Sequence, residues 1–134
     1  MIERYSRTEI KSIWEDYNRY SIWLEIELAA AEAMEKLKII PKGVVKKVRT
    51  KAKINPKRIL QIEGKVKHDI IAFLTSITEK VGKEAKYLHK GMTSSDVLDT
   101  CFNLQLKQSG EILLKNIEQL LQSIKKQALK HKFT

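Results

Sequence analysis

The sequence predicts an all-α fold. Apolar residues recur at steps of three and four over most of the chain, the spacing of one face of a helix. Five glycines and two prolines in 134 residues are too few to punctuate a many-turned β structure. Those breakers also sit beside helix starts and stops, at Pro41, Asn55-Pro56 and Gly82.

In chain order, residues 1–7 read as a polar, extended arm. Thr8 then serves as N-cap of a short helix with Glu9 in its first turn. A long helix is expected from Asp16 to Leu37. Its apolar face is Tyr17, Tyr20, Leu24, Leu28, Ala31 and Met34, with Glu25, Glu32, Glu35 and Lys36 elsewhere. Ala29-Ala30-Ala31 adds helix propensity. Pro41 opens a helix running to about Ala52, with Val44, Val45 and Val48 on one side. Asn55 and Pro56 cap and start the next, which carries Ile59, Ile62 and Val66. Lys67-His68-Asp69 interrupts it. Asp69 is placed to cap a further helix, striped by Ile70, Leu74, Ile77 and Val81 and closed by Gly82.

The stretch His89-Lys90-Gly91-Met92-Thr93-Ser94-Ser95-Asp96 is a turn followed by a helix start. Thr93, Ser94 and Ser95 offer hydroxyl caps, and Asp96 stands where a capping box places its acidic partner. From Thr93 no strong breaker intervenes before His131. Leu113, Ile117, Leu120, Ile124 and Ala128 extend one stripe, and Gly110 is a soft spot costing about 1 kcal/mol relative to Ala. Such a helix is about 55 Å long at ~1.5 Å per residue. That exceeds what a small domain covers, so its expected partners are copies of this chain or sequence outside it.

Composition narrows the classes. Hydrophobic residues make up 43% and charged residues 31%, ordinary for a globular protein. No apolar run approaches the roughly 20 residues of a membrane span, and the first residues lack a leader's apolar core. The single cysteine, Cys101, cannot form an internal disulfide, which suits a reducing cytoplasm, and it reads as core. The net charge of +10 invites a nucleic-acid reading. Its lysines cluster at 42–58 and 125–132, which solvated helix faces explain, and which suit phosphorylated, carboxylated metabolites. No zinc spacing, DNA-reading arm or RNA-stacking aromatic pattern accompanies them. Nucleic acid is therefore not the favoured partner. Three histidines and one cysteine lie scattered, without metal-ligand spacing. There is no Gly-rich phosphate loop and no nucleophile elbow.

Several residues have two readings on chemistry alone. Arg4 and Tyr5 either tie the arm to the body or grip a phosphate. His68, between Lys67 and Asp69, is either an exposed loop residue or a tuned acid or base. His89 is either structural or a ligand contact, and His131 is surface. Thr93 and Ser94 are the strongest candidates, because capping and anion binding are compatible at a helix N-terminus.

The segment His89–Thr100, HKGMTSSDVLDT, resembles the H-x-G-x-T-S-x-D-V-x-D-T segment of adenylosuccinate lyases, in the fumarase/aspartase superfamily. The opening Met1–Arg7, Trp14, the Trp23–Glu27 region, and Lys67–Ile70 with Ala72-Phe73 fit the same family in order and spacing. The resemblance covers the chain end to end, but this chain is much shorter than the enzyme and matches an N-terminal portion. It implies a small helical domain over 1–92 and the start of a central helical bundle over 93–134. It implies elimination of fumarate from adenylosuccinate, giving AMP, and from the succinylated carboxamide intermediate SAICAR, giving AICAR, in a cytoplasmic homotetramer needing no cofactor and no metal.

Residue by residue, the resemblance implies that Arg4, Tyr5 and His89 contact the phosphate end of the nucleotide. Lys67, His68 and Asp69 form a substrate-binding segment in which His68 supports catalysis. Thr93 and Ser94 bind the succinyl carboxylate, where hydroxyl and N–H donors stabilise the carbanion-like state of the elimination. Lys67 stands where Arg is common, keeping the charge but losing the planar fork. The main acid and base are expected beyond Thr134, so the chain alone is predicted inactive. Argininosuccinate lyase and aspartase fit the Arg4-Tyr5 and Lys67–Asp69 segments less well. The alternatives from other classes are a basic helical nucleic-acid-binding module and an oligomerisation module.

Overall fold

The computed structural model describes residues 2–133, so Met1 and Thr134, the outer ends of the two expected domains, lie outside the described residues. Among the described residues there are six α-helices and no strand: α1 (Thr8–Ile13), α2 (Asp16–Lys36), α3 (Val44–Lys51), α4 (Pro56–Val66), α5 (Asp69–Val81) and α6 (Ser94–Lys130). Short 3₁₀ turns cover Glu3–Tyr5 and Lys83–Tyr87. No helix is long and apolar enough to cross a membrane.

The arm is therefore not fully extended. The Tyr5 N–H and the Ser6 hydroxyl both donate to the Ile2 carbonyl, at 3.1 and 2.8 Å, and wind it into one turn. Arg7, not Thr8, holds the N-cap position of α1: its backbone is extended and its carbonyl accepts the Lys11 N–H at 2.9 Å. Thr8 is already inside the first turn.

α2 closes without glycine. Lys38 takes a left-handed conformation (φ 59°), its N–H donates to Glu35 O at 3.1 Å, and Ile39 N–H donates to Met34 O at 2.9 Å. That is a Schellman arrangement, which satisfies the last carbonyls of the helix. Pro41 does not start α3. Gly43 at φ 91° turns the chain first, and the Glu35 carboxylate accepts the Val45 N–H at 2.7 Å. Asn55 and Pro56 do start α4, with the Asn55 side chain accepting the Arg58 N–H at 3.1 Å.

The core is aromatic at its centre. Tyr20, Trp23 and Phe73 are fully buried. Trp23 meets Tyr20 and Phe73 edge-on, with centroids 5.1 and 5.5 Å away. Around them pack Leu28 and Ala31 of α2, Val44 and Val48 of α3, Ile59 and Ile62 of α4, Ile70 and Ile77 of α5, and Val97 and Cys101 of α6. The buried line of α2 is thus displaced from the expected one: Tyr17 is exposed, and Trp23 and Glu27 lie inside. Val66 is likewise exposed.

Exposed pairs tie neighbouring helices: Arg49 clasps Glu25 through two bonds of 2.8 and 2.9 Å, and Arg58 clasps Glu79 at 3.0 Å. Solvent screens both pairs, so each contributes little to stability. α6 is held to the body by its N-terminal half. Gln105 Nε2 and Asn18 Nδ2 donate to the Ile13 carbonyl at 2.7 and 2.8 Å, and the Trp14 indole donates to Ser109 at 3.1 Å. The buried residues of α6 are Val97, Cys101 and Gln105. Beyond Ser109 the helix leaves its apolar residues open to solvent, including Leu113, Ile117, Leu120 and Ile124.

Candidate functional site

Three turns in the chain carry most of the candidate residues. In the first, α4 ends on Lys67, which is left-handed at φ 55° and donates its N–H to Glu63 O at 2.8 Å. α5 starts two residues later. Its cap is His68, not Asp69: Nδ1 of His68 accepts the Ile71 N–H at 3.4 Å. Asp69 is the first helical residue, and its carboxylate accepts the Ile70 N–H at 2.7 Å. The same Nδ1 lies 3.5 Å from the Asp69 carboxylate. His68 and Asp69 both remain partly exposed.

The second turn precedes α6. Leu88 is buried and Met92 packs partly against the core, so both ends of the turn are anchored. Between them His89 is left-handed at φ 57° and Gly91 has φ 73°. A non-glycine residue in this region costs on the order of 1 kcal/mol, which the surroundings must offset. Here they do so through Glu27. One carboxylate oxygen accepts the His89 backbone N–H at 2.6 Å and the other lies 2.6 Å from Nδ1. The Glu27 side chain is wholly buried, whereas 18% of the His89 side chain is exposed.

Thr93 then caps α6. A capping box is formed with Asp96, whose carboxylate accepts the Thr93 N–H at 2.8 Å. Ser94 and Ser95 occupy the first helical positions beside it, at the positive end of a 37-residue helix. The result is a helix start with hydroxyls and backbone donors, four residues after His89 in the chain and suited to a carboxylate or phosphate.

The third element is the arm. The Arg4 guanidinium lies over the Tyr5 ring, 4.8 Å from its centroid, and Tyr5 is 74% exposed. Tyr5 lines a shallow cleft with Ile2, Arg7, Leu113 and Asn116. Leu113 lies roughly 20 residues down α6 from Thr93, about 30 Å at ~1.5 Å per residue. Within one chain, then, Arg4 and Tyr5 stand far from Thr93, Ser94 and His89. A larger groove of about 610 Å³ opens between the α1–α2 corner and α6, lined by Glu9, Asn18, Gln108 and Lys115 among others, and holds none of the expected site residues.

Among the described residues no group of His, Cys, Asp and Glu is placed to hold a metal ion. Cys101 is buried, and desolvation pushes its thiol above the ordinary range, so it is no nucleophile. Sequence reasoning missed Glu27 as the buried partner of His89. The signal was present: Glu27 lies four residues after Trp23 and four before Ala31, a charge in the middle of an apolar helix face.

The lyase family's sequence profile matches residues 4–134. The chain belongs to this lyase family. Over all 134 residues it is 46% identical to an adenylosuccinate lyase of Synechocystis sp. and 47% identical to that of Bacillus subtilis. It spans 31% of the length of each of these relatives. A crystal structure of a fumarate lyase from Mesorhizobium sp. superposes on 81% of this lyase-family chain, and on 26% of its own, with a TM-score of 0.74 at 24% identity. That likeness shows the all-α fold.

Proposed function

We propose that this chain is the N-terminal part of an adenylosuccinate lyase, which releases fumarate from adenylosuccinate and from SAICAR to give AMP and AICAR. Residues 1–92 form the small helical domain and 93–134 begin the central bundle. The observation that carries the reading is the identity of 46–47% to two adenylosuccinate lyases along the whole chain. The start of α6 supports it: hydroxyl residues Thr93, Ser94 and Ser95 stand at the N-terminus of a long helix, four residues after an imidazole held by Glu27.

In this mechanism Thr93 and Ser94 hold the succinyl carboxylate into which negative charge spreads as the proton leaves carbon. Fixed donors at the helix N-terminus stabilise that charge without reorganising. His89, Arg4 and Tyr5 take the phosphate end, Lys67 and Asp69 line the substrate, and His68 assists catalysis. The principal acid and base come from sequence beyond this chain. Because Arg4 and Tyr5 lie about 30 Å down α6 from Thr93, one site must combine residues of several copies, and a cytoplasmic homotetramer built along α6 meets that need.

The test is a chimera in which residues 1–134 replace the matching segment of the Bacillus subtilis enzyme. Fumarate release from adenylosuccinate is expected, and Thr93→Val should lower kcat by about 10²–10³-fold, as loss of one oriented donor does. A folded, tetrameric chimera that releases no fumarate would overturn the reading. The 134-residue chain alone should release none.

A further inference from the structure

We propose that Glu27 is a positioning residue: from the core it sets the tautomer and direction of His89, so that the imidazole meets an anionic ligand group through Nε2. The role given to the anion rests on the lyase reading, whereas the setting of the ring does not.

The argument begins with the cost of Glu27. A wholly buried carboxylate is expensive unless paired and hydrogen-bonded. Replacing such a group by a hydrophobic residue of similar size is often neutral or stabilising, so stability alone is a weak reason for it. Glu27 sits on α2 beside the aromatic core, in line with Trp23 and Ala31, where a leucine or methionine would pack. What the carboxylate does that those cannot is accept two donors of one residue 62 positions away. The backbone bond fixes His89 in its left-handed conformation. The side-chain bond requires Nδ1 to carry a proton, since a carboxylate only accepts. The edge of the ring held against the buried Glu27 is therefore Nδ1–H, which leaves Nε2 for a ligand.

His68 is not set in this way: its Nδ1 lies 3.4 Å from the Ile71 N–H, which donates, and 3.5 Å from the Asp69 carboxylate, which accepts, so no single neighbour selects its tautomer.

The test is long-range ¹H–¹⁵N NMR of the three histidines in the 134-residue chain. At a pH where the rings are neutral, wild-type His89 should show a protonated Nδ1. Glu27→Gln keeps the size of the side chain but has one acceptor oxygen for two donors. Its His89 signals should move toward the mixture of a free imidazole while those of His68 stay in place, with near-UV circular dichroism of the Trp23 cluster preserved. A wild-type His89 with bare Nδ1 would overturn the proposal without any variant. So would a folded Glu27→Gln chain of lowered Tm whose His89 signals are unmoved, since that is the result of a merely structural contact. Absence of fumarate release by the chimera would remove the lyase reading and leave the tautomer result standing.

Discussion

The exposed stripe of α6 should drive association of the chain, and charge placed on it should both separate the copies and unwind the helix. Leu113, Ile117, Leu120 and Ile124 follow one another at steps of four, three and four and are 56, 52, 58 and 55% exposed. Complete burial of such a side chain is worth about 1.5–3 kcal/mol, so covering the exposed half gains roughly 1 kcal/mol each. Four positions give about 4 kcal/mol per helix and about 8 kcal/mol for a pair of helices, near 10⁶ in an association constant. The double change Ile117→Asp and Leu120→Asp removes half of that gain and adds two carboxylates to the interface. Sedimentation should show the wild type as an oligomer at micromolar concentration and the variant as a monomer. A second effect follows from helix energetics. Residues 111–130 have no buried side chain, with only Ile112 and Asn116 half-buried, and helices draw most of their stability from packing of an apolar face. In the monomeric variant their amides should exchange freely, while those near Val97 and Cys101 stay protected. A wild type that is monomeric with a protected C-terminal half of α6 would refute the reasoning, as would a double variant of unchanged size.

Other perturbations test the fold. Phe73→Ala removes the ring that Trp23 and Tyr20 pack on and should cost about 3–5 kcal/mol in denaturant unfolding. A Cβ at Gly82 or Gly110 meets nothing within 4 Å, so the backbone decides the sign: Gly110→Ala should stabilise α6 by about 1 kcal/mol, and Gly82→Ala, at φ 80°, should destabilise by about 1–2 kcal/mol. Because burial raises the Cys101 thiol, its contribution to stability is complete below the ordinary thiol range and is lost as pH rises through the folded value. Alkylation of Cys101 at pH 9 should accordingly track global unfolding. Arg58 holds the Glu79 carboxyl below its ordinary range, so that pair stabilises at neutral pH and is lost on acidification through the folded value. Glu79→Gln should flatten the acid limb of a stability–pH curve.

How much of this was legible in the sequence depended on whether local chemistry or packing decided the outcome. Asn55-Pro56 and Thr93 with Asp96 act within one turn, and both starts were readable from residue type alone. The start of α3 was not, because Pro41 is permitted in a first turn but Gly43 and the distant Glu35 carboxylate determine where the helix begins. The cap of α5 was misplaced by one residue because an aspartate is the better cap by preference, yet Lys67 turning left-handed brings His68 to that position instead. The α2 face was displaced because spacing alone does not distinguish Leu24 from Trp23, whereas edge-on packing against Phe73 does. Glu27 was the largest omission among the candidate site residues. Its partner lies 62 residues away, and no local pattern reports a contact of that range.

The placement of the candidates also bears on why α6 is so long. A helix that only closed the core could stop after Gln105, its last buried residue. Instead it runs to Lys130, and the arm with Arg4 and Tyr5 packs beside Leu113 and Asn116, far from the Thr93 end. If both ends serve one mononucleotide, the ~30 Å between them cannot be closed by bending, since a continuous helix curves only gently. It can be closed by a second copy whose α6 runs the other way, placing the arm of one chain beside the Thr93 turn of its neighbour. The apolar stripe between the two ends is then the interface that fixes their register, and a slip of one helical turn along it would move the two halves of the site about 5.4 Å out of reach. On this reading the exposed leucines and isoleucines of α6 and the polar residues at its ends belong to one device.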